Sequence, residues 1–267
     1  MSDAAVRAQW QRLRELQRIA LIPYLTAGYP TRDASLSALT MVAEAGADFV
    51  EIGIPFTDPL ADGPVIQRST QVALEGGMTV GGMLELVREA ALDLPVIAFG
   101  YLNPILAYGL PRFLDDAAEA GIAGLLLTDL PGGEDLELES AVRRSDLALI
   151  PLVAPTTHES RVARMLRHAE GFVYVISRLG VTGPATTLDA TVEATVARVR
   201  KVTDLPVAVG FGIATGEQAV RAAGYADGVV VGSALVRCLA DGLGQGRMLM
   251  EELRSALDQA AASPRAN

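Results

Sequence analysis

Short apolar runs rich in β-branched residues alternate with charged, alanine-rich segments along the whole chain of 267 residues. The segments between the runs carry apolar residues three or four positions apart, as amphipathic helices do. Strands that are apolar on both faces and alternate with helices predict a parallel sheet covered by helices. Eight strands are predicted, at residues 20–26, 49–54, 96–102, 124–128, 148–154, 172–177, 207–210 and 228–231.

Eight strand–helix units in a chain of this length favour a closed (β/α)8 barrel, a fold that takes about 250 residues. An open doubly wound sheet with eight parallel strands is the alternative. We predict a single domain over residues 1–267, with an extra amphipathic helix at residues 1–17 and a frayed tail at residues 260–267.

The composition argues against several classes of protein. With 22 basic and 32 acidic side chains the net charge is −10, so the chain lacks the basic surface that a nucleic-acid-binding protein needs. The longest apolar runs have strand length and are too short to span a membrane, and the start of the chain lacks a signal-peptide pattern. We therefore expect a cytoplasmic protein. The single cysteine, Cys238, excludes an internal disulfide and a thiolate metal cluster, and the two histidines by themselves make no metal site.

One acidic residue lies within the second predicted strand, and another lies in the loop that follows this strand. Functional groups of such barrels lie at the C-terminal ends of the strands and in the loops that follow. Glu51 interrupts an apolar run, so its side chain is expected inside the barrel, where burial raises the pKa of a carboxylate. Asp62 lies in the next loop. This pair suits proton transfer by two differently tuned carboxyl groups. The structural alternatives are a satisfied core carboxylate for Glu51 and a turn residue or helix cap for Asp62.

Glycines recur after the last three predicted strands, in the segments GVTG (180–183), GFG (210–212) and GS (232–233). Barrels of this type often bind phosphate between the last two loops and the start of a short helix, which we predict at residues 233–239. The absence of a Walker-type loop favours a phosphate monoester over a nucleoside triphosphate. Ordinary turn glycines are the alternative.

Four aromatic residues lie on or just after predicted strands near the same end of the barrel: Tyr24, Tyr101, Tyr174 and Phe211. Together they could line an apolar slot for a flat aromatic group, although each could equally belong to the core.

At these residues the sequence closely resembles the alpha subunit family of tryptophan synthase. The likeness rests on residues 21–28 (LIPYLTAG), 51–64 (EIGIPFTDPLADGP), 177–183 (SRLGVTG) and 210–212 (GFG), and it extends from about residue 18 to residue 240. The second segment contains both acids and is the most specific of the four.

The resemblance implies a retro-aldol cleavage of indole-3-glycerol phosphate to indole and glyceraldehyde 3-phosphate. It implies that Glu51 protonates indole C3 and takes the glycerol hydroxyl proton, and that Asp62 accepts the indole N–H. It places Tyr174 near Glu51 and implies that Thr182 couples closure of its own loop to Asp62. The phosphate-binding positions that it implies are Gly183, Phe211, Gly212, Gly232 and Ser233.

The resemblance also implies a partner, a beta subunit that depends on pyridoxal phosphate and receives indole through a tunnel in an α2β2 complex. Asp58 and Pro131 match positions of that contact. The pyridoxal phosphate belongs to the partner, so we expect no cofactor in this chain. Tyr29 and Thr128 depart from the family pattern, since many members have an acid at the first position and proline or alanine at the second.

Three other functions stay open on the sequence. A stand-alone lyase would perform the same chemistry and release free indole. A phosphosugar isomerase or epimerase would use the same barrel for another reaction. A chain that only activates the beta subunit would be catalytically idle, and the presence of both acids argues against it.

Overall fold

The computed structural model describes residues 3–176, 185–210 and 212–262. Its strand segments pair in parallel in the order β5-β4-β3-β2-β1-β9-β8-β7-β6. Their bounds are β1 (Ala20–Thr26), β2 (Val50–Gly53), β3 (Val96–Gly100), β4 (Ile122–Leu127), β5 (Ala148–Leu149), β6 (Leu152–Val153), β7 (Val173–Ile176), β8 (Val207–Gly210) and β9 (Gly228–Val231).

The two outermost segments of this order, β5 and β6, are halves of one predicted strand. The Ile150 N–H donates to the Leu125 carbonyl at 2.8 Å, on the β4 side, and the Pro151 carbonyl accepts the Tyr174 N–H at 2.9 Å, on the β7 side. Pro151 has no N–H of its own, which interrupts the ladder at this point. Residues 150 and 151 therefore connect β5 and β6, the two edge segments of the sheet, and so close the barrel. The predicted closed barrel with its N-terminal helix is confirmed.

Helices fill the intervals between the strands and surround the barrel. Threonine side chains cap three of them at the N-terminus: Thr31 caps α2, Thr79 caps α4 and Thr215 caps α10. The last helix reaches Ala262, which lies within the segment predicted as a frayed tail. None of the described helices has the length and apolar character of a membrane span. The helices are α1 (Ala4–Glu15), α2 (Arg32–Glu44), α3 (Pro64–Glu75), α4 (Val80–Ala90), α5 (Leu102–Tyr108), α6 (Leu110–Glu119), α7 (Leu136–Arg144), α8 (Glu159–Met165), α9 (Ala185–Arg200), α10 (Gly216–Ala223), α11 (Ser233–Ala240) and α12 (Leu243–Ala262).

The N-terminal helix α1 packs against the N-terminal end of the barrel. Its apolar side chains Val6, Trp10 and Leu13 are buried. The Trp10 ring lies 5.0 Å from the ring of Phe49 and 5.5 Å from that of Phe172, centroid to centroid. Both phenylalanines belong to the same core cluster as the inward-facing residues of the strands. This packing covers the lower end of the barrel, so the opposite end is the one left for a functional site.

Candidate active site

Glu51 lies in the middle of β2, between Tyr24 of β1 and Ile97 of β3 in the strand register. The side chain is completely buried, and neither carboxylate oxygen has a hydrogen-bond partner among the described residues. Burial raises the pKa of this carboxyl group well above its ordinary value because the ionised form loses its hydration. The described residues therefore do not provide the partners of a satisfied core carboxylate.

Asp62 belongs to the loop between β2 and α3, which we call the β2–α3 loop (residues 54–63). Its N–H donates to the Pro59 carbonyl at 3.0 Å, and its own carbonyl accepts from the Gln67 side chain at 3.0 Å. The cap residue of α3 is Gly63, so Asp62 is not a helix cap, whereas its bond to the Pro59 carbonyl places it in a turn, the other structural alternative. Burial raises the pKa of Asp62 to about 6, and a hydrogen bond with Tyr101 opposes this rise.

Both acids face one cleft at the C-terminal end of the barrel. The structure thus brings together six of the predicted site residues. The cleft is lined by Tyr24, Glu51, Asp62, Ile66, Phe99, Tyr174, Val230, Gly232 and Ser233.

Three aromatic rings form a row along the cleft. The Phe99 ring lies between Tyr24, at a centroid distance of 5.4 Å, and Tyr174, at 6.2 Å. Each tyrosine hydroxyl passes directly over a glycine at a strand end: a Cβ on Gly53 would lie 2.0 Å from the Tyr24 hydroxyl, and one on Gly210 would lie 1.9 Å from that of Tyr174. These two positions therefore require glycine. Burial raises the pKa of both tyrosines, which keeps their hydroxyl groups protonated.

A chain of hydroxyl groups connects the cleft to α3. Thr26 Oγ1 lies 3.4 Å from the Tyr24 hydroxyl and 2.7 Å from Ser69 Oγ, which in turn donates to the Ile66 carbonyl at 2.9 Å. Thr26 and Ser69 are both buried. Sequence reasoning missed these two residues and Phe99, because small hydroxyl side chains and a strand phenylalanine carry no motif signal of their own.

The start of α11 forms the other end of the cleft. Gly232 is the N-terminal cap residue and Ser233 is the first helical residue, so the predicted short helix is confirmed. Unpaired N–H groups of a helix N-terminus favour an anion at this place. Gly212, in the loop after β8, has a φ of +89°, a conformation that suits glycine. The predicted phosphate residues Gly183 and Phe211, and Thr182, lie outside the described residues.

Tyr101, for which the sequence left both the aromatic slot and the core open, is buried beside the loop that carries Asp62. It is not part of the cleft lining; instead its ring contacts Phe56, at a centroid distance of 5.4 Å, and its hydroxyl accepts the Ala61 N–H at 2.9 Å. Asp58 and Pro131, the predicted partner contacts, are both exposed, on the β2–α3 loop and on the loop after β4. Among the described residues, no group of three or more His, Cys, Asp or Glu side chains is arranged to hold a metal ion.

Comparisons with known proteins agree with this geometry. The family model described as "Tryptophan synthase alpha chain" matches residues 10–264. The alpha chain of Gluconobacter oxydans is 44% identical over 257 residues, 95% of either chain, and that of Methanosarcina mazei is 45% identical over 239 residues, 89% of this chain and 87% of the relative.

Solved structures show the same relationship in three dimensions. A tryptophan synthase structure from Mycobacterium tuberculosis superimposes with a TM-score of 0.88 at 40% identity, covering 94% of this chain and 97% of the other. The alpha chain from Legionella pneumophila gives a TM-score of 0.88 at 33% identity, covering 97% of this chain and 99% of the other. This chain therefore belongs to the tryptophan synthase alpha chain family.

Proposed function

We propose that this chain cleaves indole-3-glycerol phosphate to indole and glyceraldehyde 3-phosphate, with Glu51 and Asp62 as its catalytic residues. The observation that carries the proposal is the pair of carboxyl groups in one cleft. Glu51 is fully buried without a hydrogen-bond partner among the described residues, whereas Asp62 is only half-buried on a loop. Two carboxyl groups whose environments separate their pKa values divide into an acid and a base.

The pKa shifts of the two carboxyl groups support these roles. With a pKa of about 6, Asp62 is ionised at neutral pH and accepts a hydrogen bond from the indole N–H. This interaction draws electron density towards C3, which takes a proton from the carboxyl group of Glu51. Glu51 then removes the proton of the glycerol hydroxyl next to C3, the carbon–carbon bond breaks, and the aldehyde forms. Protons balance over the cycle, and no oxidant or reductant is needed.

The rest of the cleft binds the two ends of the substrate. The rings of Tyr24, Phe99 and Tyr174, inclined to one another by 80° and 59°, offer apolar surface and ring edges to the indole ring. The N-terminus of α11, with Gly232 and Ser233, faces the same cleft and suits a dianionic phosphate. In this proposal Gly212, Gly183 and Phe211 complete the phosphate site, and Thr182 closes its loop onto the β2–α3 loop.

In the proposed assembly, indole passes to a beta subunit that carries pyridoxal phosphate, in an α2β2 complex. Asp58 and Pro131 are assigned to this contact. Their exposure, and that of Leu60, which is 92% exposed at the tip of the β2–α3 loop, supports the assignment because an interface needs accessible groups. The alternative of a stand-alone lyase differs only in the absence of this partner.

The variants E51Q and D62N test the proposed roles, with E139Q as a control on the distant helix α7. We expect both site variants to lose at least about 100-fold in the rate of indole release, the usual contribution of a general acid or base. Binding of glycerol 3-phosphate should remain within about twofold of the wild type, since the phosphate contacts are unchanged. Turnover by E51Q near the wild-type rate would contradict the role of Glu51.

A further inference from the structure

Tyr101 contacts both ends of the segment that precedes the catalytic aspartate. It is buried directly after β3, where it precedes the first residue of α5. Its hydroxyl accepts the N–H of Ala61, the neighbour of Asp62, at 2.9 Å, and its ring contacts Phe56 near the start of the β2–α3 loop. One side chain of the rigid barrel thus holds the loop at two points.

At its first residue the loop is bonded to β3, where the Ile54 N–H donates to the Phe99 carbonyl at 2.8 Å, and residues 56–62 have few other attachments to the barrel. The Leu60 N–H bonds to the Asp58 carbonyl and the Asp62 N–H to the Pro59 carbonyl, so both of these bonds stay within the loop. The Gln67 side chain ties the Asp62 carbonyl to α3. Among the described residues, one backbone group of residues 56–62 bonds to a residue at the end of a strand. It is the Ala61 N–H, which donates to the Tyr101 hydroxyl directly after β3.

Tyr101 is itself fixed by the end of β4. The N–H of Leu102 donates to the Asp129 carboxylate at 2.9 Å. The carbonyl of Gly100 accepts both the N–H of Thr128, at 2.9 Å, and its hydroxyl, at 3.1 Å. Thr128, one of the two departures from the family pattern, thus adds a side-chain bond to the segment that carries Tyr101.

We propose that Tyr101 is a positioning residue for Asp62: it clamps the β2–α3 loop to the barrel and so holds the carboxylate in the cleft. This inference rests on the proposed function, since it concerns the group that accepts the indole N–H. Tyr101 is not among the residues that line the cleft, and its hydroxyl bonds to the backbone beside Asp62, so we assign its effect to the position of that aspartate.

The clamp also favours the ionised form of the aspartate. Hydrogen bonding with Tyr101 lowers the pKa of Asp62, against the rise that burial causes. The titratable groups that face this site come from four elements: Tyr24 on β1, Glu51 on β2, Tyr101 after β3 and Tyr174 on β7. Loss of the Tyr101 hydroxyl should therefore raise the pKa of Asp62, and cleavage should require a higher pH.

The test compares Y101F with Y108F in the full chain. Tyr108 is the matched control because its hydroxyl bonds to Asp116 at 2.5 Å, at the far end of α5 and away from the cleft. For Y101F we expect kcat to fall about tenfold and the acidic limb of the pH profile to move up by about one unit. KM and glycerol 3-phosphate binding should stay within about twofold of the wild type, and Y108F should match the wild type throughout.

If the wild type is active and Y101F has the same kcat and the same acidic limb as the wild type, the inference is overturned. Equal losses in Y101F and Y108F would also overturn it. An inactive wild type would instead overturn the proposed function on which the inference rests. If Y101F does not fold, A61P replaces it, because proline removes the N–H that Tyr101 accepts and leaves the tyrosine in place. Wild-type kcat in A61P would then overturn the inference.

Discussion

The substitution Glu51→Gln should abolish cleavage. It should also raise the free energy of unfolding relative to that of the wild type, by an amount that grows as the pH rises. The carboxyl group is completely buried, and burial raises its pKa in the folded state. Above the pKa of the unfolded chain, about 4.3, the unfolded state therefore binds fewer protons at this residue than the folded state does. The free energy of unfolding of the wild type must then fall as the pH rises towards the folded-state pKa. The glutamine side chain of the variant does not titrate, so E51Q lacks this loss.

The magnitude follows from the linkage of one proton. The loss amounts to about 1.4 kcal/mol for each pH unit between the two pKa values. For each pH unit between these two pKa values the variant should gain this amount relative to the wild type, or about 3 to 5 °C in Tm for a chain of this size. Asp62 titrates in both proteins, so its contribution cancels in the difference.

The assay is urea unfolding at a series of pH values from 5 to 8, followed by circular dichroism, for the wild type, E51Q and E139Q. Glu139 is the matched control, a buried carboxylate that accepts the Gly133 N–H at 2.5 Å and bonds to Arg143 at 3.2 Å. E139Q should be less stable than the wild type by about 1–3 kcal/mol because it loses charge-assisted bonds. If E51Q is also less stable than the wild type, by an amount that does not change with pH, the raised pKa of the buried Glu51 is contradicted.

Three further predictions concern the site and the barrel. The acidic limb of kcat/KM should lie near pH 6, where Asp62 ionises, and D62N should lack this limb in a rate–pH profile. G53A should lose most activity because the new Cβ would lie 2.0 Å from the Tyr24 hydroxyl, whereas G81A, with its nearest contact at 3.7 Å, should keep full activity. W10A should lower the free energy of unfolding by about 3–5 kcal/mol, since Trp10 is buried at the base of the barrel. An unfolding free energy within about 1 kcal/mol of the wild type would contradict this last prediction.

The elements best predicted from the sequence are those in which an apolar run ends sharply. The strands β1, β8 and β9 begin and end where the runs at 20–26, 207–210 and 228–231 predict. The run at 148–154 was also predicted as a strand, and its interruption follows from Pro151, which cannot donate to the ladder. The pattern therefore predicts strands well, and proline marks where the pairing stops.

The placement of the site residues was predictable only in part. Glu51 is expected inside the barrel because a charged residue stands in a run that is apolar on both faces. That its oxygens lack partners among the described residues depends on side chains from several strands, which no local pattern reports. The sequence left Tyr101 open between the aromatic slot and the core, because its place depends on Ala61 and Phe56, on a loop about 40 residues away in sequence. Long-range packing of this kind leaves no signal in residue spacing.

The proposed reaction and assembly are tested by indole release from indole-3-glycerol phosphate, measured for the purified chain with and without a beta subunit. We expect indole and glyceraldehyde 3-phosphate in equal amounts, slowly from the chain alone and faster when the beta subunit is present. Fast release that the partner does not change would contradict the proposed assembly and support the stand-alone lyase. The absence of indole under both conditions would contradict the proposed reaction itself.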